Sequence, residues 1–130
     1  MVRRFTLEEA NALIPRLDRF FVELRELRRK IGEVRSELAA IELTAKSNGI
    51  SRAARIQPVR SALEELIAEH NARTDELDQI GCEVKDLDQG LVDFRALRDG
   101  SEVYLCWKQG ESEIRYWHEL ETGFAGRQPL

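Results

Sequence analysis

The side chains best suited to chemistry in this 130-residue chain lie beyond residue 80. Cys106 and His118, with Asp93 or Glu119 as a carboxylate, offer the sulfur, nitrogen and oxygen donors that zinc accepts. The same cysteine and histidine could serve as nucleophile and base. Their spacing supports neither role: Cys82 and Cys106 stand 24 positions apart, outside any CxxC pattern, and no HxH or HExxH occurs. A second constellation sets Asp93 with Arg95 or Arg115 beside Tyr104 and Trp117, which suits a carboxylate or phosphate gripped by a guanidinium fork over a flat aromatic surface. The competing account of these residues is structural, with Cys106 packed as a small apolar residue against Trp117 and the others forming a salt-bridged sheet face. P-loop, GxGxxG and GxSxG patterns are absent, so no familiar enzyme signature is present. No metal and no cofactor is expected, and an enzyme is the weaker expectation.

These residues must be positioned by a small antiparallel sheet. After Gly81 three runs, LVDFRALR, SEVYLCWK and EIRYWH, are rich in β-branched and aromatic residues and change to period two. Asp99-Gly100 fits a two-residue type I′ turn, since both central residues must accept positive φ. That turn pairs Arg98 with Ser101, Ala96 with Val103, Phe94 with Leu105 and Val92 with Trp107. Asp93 then faces Cys106, and Arg95 faces Tyr104. The next connection, at Gln109-Gly110-Glu111-Ser112, is read as an even loop. It places Val103, Leu105, Trp107, Ile114, Tyr116 and His118 on an apolar face toward the helices. Asp93, Arg95, Tyr104, Cys106, Arg115 and Trp117 take the polar face, so Cys106 and His118 point apart; only an odd loop would join them. CEVKDL, turning at Asp88-Gln89-Gly90, adds a fourth strand whose register nothing local fixes.

Ahead of the sheet the chain is helical. Thr6 and Glu9 form a capping box that starts a helix at Leu7. Pro15 is expected to kink or split it. Leu13, Leu17, Phe20, Leu24, Leu27, Ile31, Val34, Leu38 and Ile41 then alternate by four and three residues, a coiled-coil stripe. Ile56, Val59, Leu63, Leu66, His70, Arg73, Leu77 and Ile80 repeat the spacing, with His70 in a seam position where most histidines are satisfied core residues. Ser47, Asn48 and Gly49 supply a stop, and Pro58 suits the first turn of the next helix. The arms of such a hairpin reach about 35–48 Å at 1.5 Å per residue. Phe21, Ile14 and Ile67 fall off the seam and need cover from the back half or from a second molecule.

The net charge of −4 disfavours a general nucleic-acid binder. It is an average over unlike parts: residues 15–60 carry eleven Lys or Arg against six acidic residues, and residues 61–93 carry two against ten. The arms are therefore complementary in sign. Lys46, Arg52, Arg55 and Arg60 concentrate charge at the hairpin tip, but no aromatic residue is there to stack on bases. No run approaches the roughly 20 apolar residues of a membrane span, and MVRRFTLEEA lacks the apolar core of a secretion signal. The expected address is cytoplasmic, with reduced thiols.

The segments EVKDLDQGLVDF, RDGSEVYLCW, GESEIRYWHE and GFAGRQPL, with the weaker FTLEEANALIP, resemble a family of small uncharacterised bacterial proteins, a domain of unknown function. The likeness spans nearly the whole chain; the family often has proline after the DF pair, where this sequence has Arg95. The resemblance implies no activity, substrate or cofactor. It marks Gly90, Asp93, Cys106, Trp107, Trp117, His118, Gly123 and Arg127 as signature positions. Arg127 is expected to pair with Asp93 and lid the polar face.

The expectation is one α+β domain over residues 1–130: a coiled-coil-like antiparallel helical hairpin (1–80), then a three- or four-stranded antiparallel meander and tail (81–130). The leading functional reading is a non-enzymatic adaptor whose helical arms bind a second copy or a protein partner, with no membrane or nucleic acid involved. The alternative is a small-molecule or metal-binding protein, enzymatic or not, with its site on the sheet at Asp93, Arg95, Tyr104, Cys106, Arg115, Trp117, His118 and Arg127.

Overall fold

Thr6 Oγ1 accepts the Glu9 N–H at 3.1 Å and Glu9 Oε1 accepts the Thr6 N–H at 2.9 Å. This reciprocal cap satisfies two orphan donors and opens the first helix, α1 (Leu7–Thr44). The second, α2, spans Gly49–Ile80. The computed structural model describes residues 2–44 and 49–130, with the side chains of 44 and 49–52 excepted. The expected stop at Ser47-Asn48 and the tip residue Lys46 lie outside the described residues, as does the side chain of Arg52.

Proline does less to these helices than its chemistry suggests. α1 is not split at Pro15. Ile14 and Leu17 beside it are buried, and two such side chains contribute about 1.5–3 kcal/mol each, which offsets the roughly 3 kcal/mol cost of an interior proline. Pro58 also lies inside its helix, not in the first turn as expected, because α2 begins at Gly49.

The sheet has five strands in sequence order: β1 (Glu83–Asp86), β2 (Leu91–Arg98), β3 (Ser101–Lys108), β4 (Tyr116–His118) and β5 (Gln128–Pro129). The expected count was three or four; the tail supplies the fifth. Asp99 and Gly100 have φ of 51° and 82°, and β2–β3 pairs as that turn dictates, Asp93 opposite Cys106 and Arg95 opposite Tyr104.

The next register corrects the expected one. Cys106 pairs with Tyr116, Leu105 with Trp117 and Tyr104 with His118, so the connection is odd and the faces of β4 are exchanged. The cause lies outside the hairpin. The Ile114 N–H donates to Asn11 Oδ1 at 2.7 Å, and the Ile114 side chain is buried. That draws residues 113–115 out of the ladder and delays β4 to Tyr116.

Residues 1–22 with 76–130 form one compact unit, and residues 23–75 another. In the first, Val92, Phe94, Ala96, Val103, Leu105 and Trp107 make the apolar sheet face. Phe5 meets Phe94 edge-on at 5.2 Å, and Phe21 meets Trp107 at 6.2 Å. Phe21 and Ile14, which needed cover, are buried in this unit. The Phe5 N–H also donates to the Arg95 carbonyl at 2.7 Å. In the second unit Leu24, Leu27, Ile31 and Ile56 are buried. Arg73–Glu23 at 3.4 Å and Arg60–Glu42 at 3.7 Å link its two arms. Among the described residues no helix is long and apolar enough to cross a membrane.

Candidate metal centre on the sheet

Residues paired across antiparallel strands share a face. Register therefore puts Glu83, Asp93, Arg95, Tyr104, Cys106, Tyr116 and His118 on the side of the sheet away from the Trp107 core. Asp93, Cys106 and His118, from three adjacent strands, bring one donor atom each to within 4.8 Å of one another. They are 2%, 0% and 1% exposed. The expectation that Cys106 and His118 point apart is thus corrected.

The hydrogen bonds of His118 define what the cluster can hold. Its Nδ1 lies 2.7 Å from the Glu119 carbonyl, which only accepts, so Nδ1 carries the proton and donates. Nε2 is then directed at Asp93 Oδ1, 3.0 Å away. A lone pair on nitrogen and a carboxylate oxygen can meet at that distance only through a cation, either a proton or a metal ion. Burial pushes the Cys106 thiol up to about 12, with the Asp93 charge adding to the effect. A thiol held protonated by burial is a weak nucleophile, and His118 is already engaged by Asp93 and Glu119.

The other expected site residues divide. Arg95 donates to the Tyr104 hydroxyl at 2.9 Å, and that hydroxyl donates to Glu83 Oε1 at 3.1 Å. Arg95 also meets Glu102 at 3.4 Å, and Glu102 meets Arg4 at 2.8 Å. Arg95 and Tyr104 are thus tied into a polar chain beside the cluster. Arg127 does not pair with Asp93. It bonds Glu111 at 2.6 Å and stacks on the Tyr116 ring at 4.0 Å. Glu111 is itself held by the Lys108 N–H at 2.7 Å. Arg115 is exposed and pairs with Glu113 at 3.1 Å, away from the site. Trp117 takes the opposite face with Leu105, under the Arg98 guanidinium at 4.7 Å.

Glu111 and Tyr116 belong to this corner and were not anticipated. Glu111 follows the turn glycine Gly110, whose φ is 107°, and a carboxylate after a turn carries no local sign of its partner. Tyr116 was assigned to the wrong face by the same parity that misplaced His118.

The model of DUF2203, described as an uncharacterized conserved protein, matches residues 3–130, and the chain belongs to that family. No curated protein and no solved structure matches it.

Proposed function

We propose, for this member of DUF2203, that the protein binds one transition-metal ion of the zinc class through the Asp93 carboxylate, the Cys106 thiolate and His118 Nε2. The observation that carries the reading is the orientation of His118, whose Nδ1–H is spent on the Glu119 carbonyl while Nε2 faces Asp93 at 3.0 Å. A backbone carbonyl on the second ring nitrogen is the usual support of a metal-bound histidine. Charge supports it as well: a dication with one thiolate and one carboxylate is neutral overall, which relieves the cost of burying two anions. Three protein donors leave a fourth position for water or another ligand. With donors at most 2% exposed, the ion's role is to fasten β2, β3 and β4 rather than to meet a substrate.

Elemental analysis of the purified chain, followed by chelation and reloading with Co(II), tests this. One equivalent of metal and a thiolate-to-cobalt charge-transfer band are expected. Both should be lost in Cys106→Ser and kept in Cys82→Ser. A folded chain that takes up neither Zn(II) nor Co(II) overturns the reading.

A second reading keeps the helical arms as a surface for a second copy, supported by Val34, Leu38 and Ile41, which continue the seam only half-buried. Light scattering tests it: a monomer at tens of micromolar removes it. The two free cysteines, both buried, support a reducing and hence cytoplasmic address.

A further inference from the structure

In the unit of residues 23–75, a groove of about 410 Å³ opens between the two helices beside His70. Arg28 and Arg35 border it from α1, and His70 and Asn71 from α2; Ile31 and Ile67 complete its lining. Its composition is one-sided, since every polar lining side chain can donate a hydrogen bond and none is a carboxylate.

Two further observations point to a ligand. His70 Nε2 is buried and has no hydrogen-bond partner among the described residues, and a buried nitrogen left unmatched at a seam position asks for an explanation that an apolar residue would not need. Gly32, between the two arginines in sequence, leaves the groove open: a Cβ built there meets nothing within 4 Å. Glycine inside a helix costs about 1 kcal/mol relative to alanine, and here packing does not require it.

We propose that this groove binds the phosphate group of a small phosphate monoester. The Arg35 fork and the Asn71 amide would contact its oxygens beside the His70 ring, and Ile31 and Ile67 would carry the ester's carbon portion. Guanidinium pairs match the oxygens of a phosphate, which is why arginine is favoured at such sites. The site is independent of the proposed metal centre.

The test is a titration of the isotopically labelled full chain with inorganic phosphate, then with phenyl phosphate and benzoate, reading the His70 ring and Asn71 side-chain amide signals by NMR. Saturable shifts with inorganic phosphate are expected, tighter binding with phenyl phosphate, and at least tenfold weaker binding with benzoate. Arg35→Ala and Gly32→Leu should each weaken phosphate binding at least tenfold. Gly32→Leu fills the open space and improves helix propensity, so it separates blocked binding from failure to fold. Arg115→Ala, in the other unit, should leave binding unchanged. No shift at His70 in tens of millimolar phosphate, or equal weakening by Arg115→Ala, overturns the proposal.

Discussion

Cys82 and Cys106 are both closed off from solvent, and burial pushes their thiols up to about 11 and about 12. Neither should react in the folded chain: the Cys82 thiol stays protonated at neutral pH, and Cys106 is fully buried and, as proposed, held on the metal. Iodoacetamide is therefore expected to add nothing to the native chain and two groups after denaturation, read by intact mass; a native adduct would show that one thiol opens to solvent. Residue by residue, the site was legible as far as local chemistry reached. Asp99-Gly100 set the pairing of Asp93 with Cys106 because a two-residue turn leaves no freedom of register. The place of His118 was not legible, because it depends on the Ile114 N–H being taken by Asn11, 103 positions away in sequence. Asn11→Ala should leave that N–H unpaired beside a buried Ile114, at a cost of about 1–3 kcal/mol. Urea unfolding of the variant measures the loss, and metal affinity should fall with it, since β4 loses what fixes its start.

At the scale of elements, the sheet's polar face is joined by carboxylates and cations from β1, β2, β3 and the segment before α1. Burial acts to raise the Glu83 carboxyl, but hydrogen bonds from Lys85 and Tyr104, with the charges of Lys85 and Arg95, hold it below its ordinary value. The Arg4 hydrogen bond, with lesser help from Arg95, lowers Glu102. A carboxyl lowered by folding binds its proton less readily in the native chain than in the unfolded one. The stability it contributes is present above the unfolded value near 4.3 and is lost as the pH falls toward and through the lower native value. Thermal unfolding should thus show stability dropping below about pH 4.5, and Glu83→Gln with Glu102→Gln should flatten that drop. An unchanged acid limb would place the sensitivity in other carboxylates. The helices were the most legible elements: cap, stripe and hairpin follow from spacing alone. The tail strand β5 was not, because Gln128–Pro129 is too short to alternate and pairs only with β4.

Taken whole, the chain's charge of −4 conceals an uneven layout, and two ion pairs between the arms run against it. Arg73–Glu23 and Arg60–Glu42 put the cation on α2 and the anion on α1, the reverse of the bulk tendency. Pairs this exposed contribute about 0–1 kcal/mol each, so these two add little to what holds the arms together. The division into units carries a stronger consequence. Residues 1–22 and 76–130 contain the Thr6–Glu9 cap, the Phe5–Phe94 and Phe21–Trp107 contacts and all three proposed metal donors. Replacing residues 23–75 by a short Gly-Ser turn removes none of these. It also shortens the segment to be closed, and the entropy of closure changes only as about (3/2)RT times the logarithm of its length. The shortened chain is expected to fold, with buried Trp107 fluorescence and strand circular dichroism retained, and to keep one equivalent of metal while losing phosphate binding. Loss of metal from a folded shortened chain would mean that residues 23–75 help to form the sheet site. An unfolded shortened chain would mean that the sheet unit depends on the full hairpin for its stability.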